Sequence, residues 1–228
     1  MKNKNWRIIG LIISIIMTGF GIAMTIKTNI GVAPYDAFNL TALWLIEKYS
    51  NGKIVLQFGT MTMITNTTCI LVQLAYLGKK FELKRLLQLV LAYGLGYVIN
   101  FGVTVLFADL PLDLYIYRVI FNVIGVILLG IGIGLLLAIN YGSFPLEPTV
   151  MVICERYGWS FPRARQMLDV IAIFVIPVVC WLTGLENTIR EGTVISMLVF
   201  TPVMKFTLFK VLALIEKHEP AKTEVEAA

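Results

Sequence analysis

Two carboxylates in matching positions carry most of the chemistry this sequence offers. Asp36 and Glu147 each stand two residues after a proline, Pro34 and Pro145, and five after a glycine, Gly31 and Gly142. Asn29 and Asn140 precede those glycines by two, and every pair keeps an offset of 111 residues. Asparagine and glycine tolerate the left-handed conformation that ends a helix, and proline is suited to the first turn of the next. Each copy therefore reads as a helix stop, a turn and a new helix whose first turn holds an acid. Such an acid stabilises the helix dipole by about 0.3–1 kcal/mol. At bilayer depth an ionised acid costs about 2.5–3.5 kcal/mol. At that depth the pair would serve a proton or cation, whereas at headgroup level capping alone accounts for it. The sequence leaves both readings open.

Other polar groups are candidates for the same work. Asp169 lies just inside an apolar stretch with Arg165 four residues before it, on the same helical face. An interfacial ion pair and a coupling carboxylate are both compatible with that spacing. Its counterpart region in the first half, Gly59-Thr60-Met61, has no acid. Asn66 sits in the polar run Thr65 to Thr68, and Gln57, Gln73, Asn100, Thr104 and Asn122 are also enclosed by apolar sequence. Most such groups form interhelical hydrogen bonds. A site made of hydroxyls and amides suits a neutral or zwitterionic solute. Freed backbone at a helix break usually lines a cavity, which adds Asn29 and Asn140 to the candidates.

Cys69, Cys154 and Cys180 have no metal-binding spacing, and His218 is the single histidine. Neither a zinc site nor a disulfide framework is expected. No nucleophile–base set, phosphate-binding loop or dinucleotide fingerprint is present, so an enzyme is not expected, nor a cofactor.

The elements that must position these residues follow from composition. With 58% hydrophobic and 14% charged residues and a mean hydropathy of +0.82, the chain exceeds the roughly 45–50% apolar and 25% charged usage of soluble domains. It reads as an integral membrane protein. The net charge of +5 comes from short basic loops beside apolar runs, which orients a membrane protein and does not form a nucleic-acid stripe. Six apolar segments are expected to span: 8–26, 54–77, 86–107, 115–139, 167–183 and 193–215. The first follows Lys2, Lys4 and Arg7 and resembles a signal peptide, but it runs into the first motif without a cleavage site and is read as retained. Segments 34–46 and 145–154 are too short to span and read as half-helices. If they do not cross, the basic N-terminus, the Lys79–Arg85 loop, Arg156, Arg163, Arg165 and the tail share one side, and Asp109, Asp113, Glu186 and Glu191 face the other. That arrangement satisfies the positive-inside rule with both termini cytoplasmic.

The repeat extends beyond the motif. Gly19 and Gly21 recur as Gly130 and Gly132, Ile22 recurs as Ile133, and Glu47-Lys48-Tyr49 recurs as Glu155-Arg156-Tyr157 at an offset of 108. Small residues at these spacings let helices approach closely and also suit a sliding surface. With six spans, residues 1–108 and 115–216 form two inverted repeats of three spans and one half-helix, followed by a polar tail, 217–228.

The pattern of Gly19, Gly21, Gly31, Pro34 and Asp36 resembles the YczE/YyaS/YitT-type family of small bacterial integral membrane proteins, over essentially the whole chain. The resemblance implies a multi-pass protein of the bacterial cytoplasmic membrane with a suspected transport or export role. The combined expectation is an all-α membrane protein transporting a small solute from a site between its halves, with proton coupling at Asp36, Glu147 or Asp169. A channel and a non-transport membrane partner are the alternatives.

Overall fold

The computed structural model describes residues 2–140 and 142–218, with side chains described from Trp6 to Lys217. The described residues form eight α-helices and no strand: α1 (Lys2–Thr28), α2 (Pro34–Tyr49), α3 (Phe58–Leu77), α4 (Leu87–Phe101), α5 (Tyr115–Ile139), α6 (Leu146–Tyr157), α7 (Phe161–Thr183) and α8 (Glu191–His218). Five stretches are long and apolar enough to cross a membrane: Trp6–Thr28, Leu83–Leu106, Tyr115–Ile139, Phe161–Thr183 and Glu191–Lys217. The protein is a multi-pass helical membrane protein. The expected second span, 54–77, is helical from Phe58 onward. It falls outside those five because its threonines, Asn66 and Gln73 break its apolar run.

Several boundaries differ from the sequence reading. The first half-helix continues past residue 46 to Tyr49, because Glu47 and Lys48 are good helix formers and no glycine or proline intervenes before Ser50. The second starts one residue late, with Pro145 as its N-cap, and runs to Tyr157 before Gly158 closes it at φ 68°. The third expected span ends in a π-helical turn, Gly102–Leu106, after α4. The tail expected at 217–228 lies outside the described residues from 219 onward, and Lys217 still belongs to α8.

Both predicted helix stops are observed. Asn29 and Asn140 adopt left-handed conformations at φ 51° and 48°. The glycines of the two turns then diverge: Gly31 is at φ 107°, whereas Gly142 is not in that region.

Glycine contacts set the relative directions of the helices. Along α1, Gly10 faces Ile139, Thr18 faces Gly132, and Gly21 faces Leu129 and Gly125, so α5 runs antiparallel to α1. A Cβ at Gly21 would stand 2.6 Å from backbone atoms of Gly125 and Leu129. This is backbone-to-backbone packing, which replaces the hydrophobic drive missing between helices in lipid. Ile15 meets Gly94, Gly19 meets Val98 and Ala23 meets Gly102, so α4 runs parallel to α1. Gly130 meets Phe200 and Val203 while Gly134 meets Met204 and Thr207, so α8 runs parallel to α5. Gly59 approaches Gly96 and Asn100, and Met63 approaches Gly96, which makes α3 antiparallel to α4. Ile22, Phe58, Leu95, Ile99 and Leu129 join α1, α3, α4 and α5 in one core.

The two short helices cross over. α2 packs on α3 and on α7 of the other half, and α6 packs on α7 and on α3 of the other half.

Candidate functional site

The first turn of α2 is an unusual place for a charge. Asp36 is 6% exposed and has no hydrogen bond or ion pair with any described residue. It does not cap its own helix, and the N-cap residue, Ala33, supplies no side-chain bond. One helical turn on, the wholly buried Asn39 faces Thr65 of α3 at 2.6 Å, and the Tyr35 hydroxyl donates to Asn66 Oδ1 at 3.4 Å. Thr65 Oγ1 is also 2.6 Å from Met61 O, and its single proton serves only one of these acceptors. An Asn39 amide turned so that Nδ2 donates to Thr65, which then donates to Met61 O, satisfies both contacts and Asn39 Nδ2, otherwise a buried orphan. Thr65 and Asn66 lie near the middle of the 20-residue α3. The start of α2 therefore sits opposite the middle of that helix.

The start of α6 is built differently. Glu147 is half-buried, and its carboxylate lies against its own backbone N–H with Arg165 and Asp169 in electrostatic reach. Arg165 and Asp169 form the predicted ion pair at 2.6 Å, with both side chains about one-third exposed. Tyr35 lies within electrostatic reach of Cys69 and Glu147 as well as Asp36, so both half-helix starts and the middle of α3 border one region.

Two threonines show how each start is held. Thr149 Oγ1 lies 2.6 Å from Pro145 O and 3.1 Å from Cys69 O, its single proton serving one of the two, and Gln73 Nε2 of α3 reaches Pro145 O at 3.3 Å and Thr149 Oγ1 at 3.0 Å. In the first half Thr41 Oγ1 pairs with Thr188 Oγ1 at 2.9 Å, and Thr188 donates to Ala37 O at 3.4 Å. Thr41 and Ala37 match Thr149 and Pro145 at the offset of 108, not 111. The three-residue difference falls between the acids and these threonines. Glu147 stands two residues before its threonine, where the first half has Asn39, and Asp36 stands five before. The acids paired in sequence therefore stand about one helical turn apart relative to these threonines.

The other candidates are spread out. Asn66 is buried beside Tyr35, but Asn29 and Asn140 have exposed side chains at the helix stops. Gly19, Gly21, Gly130 and Gly132 are packing positions, and Pro34 is buried at the start of α2. Gly31 and Gly142 both meet the opposite half: Gly31 abuts Arg190 and Thr193, and Gly142 abuts Leu91. Two surface grooves lie away from Asp36. One of about 310 Å³ is bordered by Thr60, Thr67, Thr68 and Tyr93, and another of about 380 Å³ lies at Glu155 and Trp159.

Sequence reasoning missed Asn39, Thr41, Thr149 and Thr188. For the two half-helix threonines a signal existed, since the offset of 108 shared by Glu47 and Glu155 also pairs Thr41 with Thr149.

Comparison with known proteins places these features in a family. A family model described as a family of unknown function (DUF6198) matches residues 5–208. The uncharacterized membrane protein YczE of Bacillus subtilis (strain 168) is 25% identical over 195 residues, covering 85% of this chain and 81% of that protein. The uncharacterized protein YyaS of the same organism is 27% identical over 185 residues, covering 81% of this chain and 84% of that protein. No solved structure matches the chain.

Proposed function

This chain belongs to DUF6198, a family of unknown function, and on that premise we propose that it is a proton-coupled carrier of a small solute in the bacterial cytoplasmic membrane. The observation that carries the reading is Asp36, a buried carboxylate without a partner among the described residues, beside the start of the other half's short helix. If α3 crosses the bilayer, Asp36 lies well inside it. There the cost of an ionised acid, about 2.5–3.5 kcal/mol, exceeds the roughly 0.3–1 kcal/mol of a dipole contact. Binding a proton or a cationic group removes that penalty, which ties occupancy of Asp36 to the state of the site. Tyr35, Asn39, Thr65 and Asn66 add hydroxyl and amide groups that suit a neutral or zwitterionic solute.

The helix directions support six spans and inverted repeats. Because α4 parallels α1 and α3 opposes α4, α3 returns toward the side where α1 began, so α2 leaves and re-enters on one side. The antiparallel α1 and α5 give the halves opposite starting directions, as inversion requires. The same directions gather the N-terminus, the Lys79–Arg85 loop, Arg163 and the end of α8 on one face, and the positive-inside rule makes that face cytoplasmic.

The test is purified protein in liposomes under an imposed pH gradient, with internal pH and uptake of a labelled solute panel both recorded. Saturable, gradient-driven uptake lost in Asp36→Asn supports the carrier. Non-saturating flux would move the protein to the channel class, and no flux for any solute would favour a membrane partner.

A further inference from the structure

The geometry points to Thr188 and Gln73 as opposing latches that close the region around Asp36 from opposite sides, an inference that rests on the carrier reading and extends it to named gates. Each latch belongs to one half and holds the first turn of the other half's short helix. Thr188 follows α7 and bonds Ala37 O and Thr41 of α2. Gln73 lies near the end of α3 and directs one Nε2 proton, shared between Thr149 Oγ1 and Pro145 O, at α6. The two are not repeat equivalents in sequence, yet they hold backbone carbonyls and threonines that are equivalent, at the offset of 108.

Further bonds support each latch, across the two halves at Thr188 and within one half at Gln73. Behind Thr188, the Val32 N–H donates to Thr188 O at 3.4 Å, Thr193 Oγ1 donates to Val32 O at 2.7 Å, and the Gly192 N–H donates to Ile30 O at 2.7 Å. Arg190 adds a bond to Asn29 O at 3.0 Å. Behind Gln73, Nε2 reaches Gln88 Oε1 at 2.9 Å and Arg85 donates to Gln73 Oε1 at 3.1 Å. A fully buried amide or hydroxyl joined to a polar neighbour across a moving boundary makes a two-state contact, because leaving it unpaired while still buried is costly and separation must hydrate it. Thr188 and Gln73 are 3% and 0% exposed. Both latches are closed in this structure, and Asp36 is correspondingly shut in. Opening on the α7–α8 side breaks only the Thr188 set, and opening on the α3–α4 side breaks only the Gln73 set.

The experiment reads access to position 36 without needing a solute. With Cys69, Cys154 and Cys180 replaced by alanine, Asp36→Cys is exposed to an impermeant sulfonate-bearing thiosulfonate in right-side-out and inverted vesicles. Thr188→Val should raise labelling about fivefold from the α7–α8 side alone, and Gln73→Leu by a similar factor from the α3–α4 side alone, the equilibrium shift expected for one net hydrogen bond. A Thr41→Cys/Thr188→Cys disulfide should suppress labelling from the α7–α8 side and leave the other side unchanged. If Asp36→Cys lowers membrane abundance, Asn66→Cys is the reporter. Labelling that rises on the same side for both variants, on both sides for either, or on neither overturns the latches. Sided labelling with no solute flux would keep the latches and remove the carrier reading, and flux with unsided labelling would do the reverse.

Discussion

Asp36 and Glu147 look alike in sequence and diverge in their surroundings. Glu147 has its own backbone N–H and a neighbouring guanidinium to face, while Asp36 has neither. Neutralising Glu147 with Glu147→Gln should therefore cost at most about 1 kcal/mol and leave flux nearly intact. Asp36→Asn should leave the folded yield in detergent unchanged or higher, because it removes a buried charge, while it abolishes the pH dependence of uptake. Size-exclusion yield read beside gradient-driven uptake for both variants checks this. Equal flux and equal pH dependence in Asp36→Asn and the parent would return Asp36 to a purely structural role.

At the level of elements, close packing of α1 on α5 and on α4 depends on which glycines meet backbone. A Cβ at Gly21 would lie 2.6 Å from Gly125 O and from Leu129 N, atoms that cannot rotate away. A Cβ at Gly94 would sit 3.8 Å from Ile15, an ordinary contact. Gly21→Ala should therefore lower the folded fraction on fluorescence-detected chromatography while Gly94→Ala leaves it unchanged, and the reverse ranking would refute the packing. The helix stop at Asn140 gives a second expectation. Its left-handed conformation strains a side chain that glycine lacks, so Asn140→Gly should raise the thermal midpoint by the equivalent of about 0.5 kcal/mol.

For the whole molecule, the helix directions and the loop charges are separate supports for the proposed six-span arrangement. A cysteine at Lys80 or Arg163, in a background without the native cysteines, should resist an impermeant thiol reagent applied to intact cells, and one at Asp113 should label. Labelling of position 80 from outside would exclude the six-span arrangement and with it the inverted halves. The same result would place the Gln73 latch on the outer face, so this measurement also assigns the two gates to their compartments.

Hydropathy, the repeated motif and the asparagine–glycine–proline turns were sufficient for an all-helical, multi-pass membrane protein with two short helices after left-handed stops. These are local properties: apolar run length, the φ values a residue tolerates and the missing N–H of proline act within a few residues of chain. The ion pair of Arg165 with Asp169 was equally readable, because helical periodicity places residues four apart side by side. The sequence did not distinguish Asp36 from Glu147, nor did it indicate that Thr188 and Gln73 reach into the opposite half. Those features depend on contacts across 72 to 151 residues of chain. They exist because α2 and α6 cross over to the opposite halves, and only the packed bundle decides which buried polar atoms find partners and leaves the Asp36 carboxylate without one among the described residues.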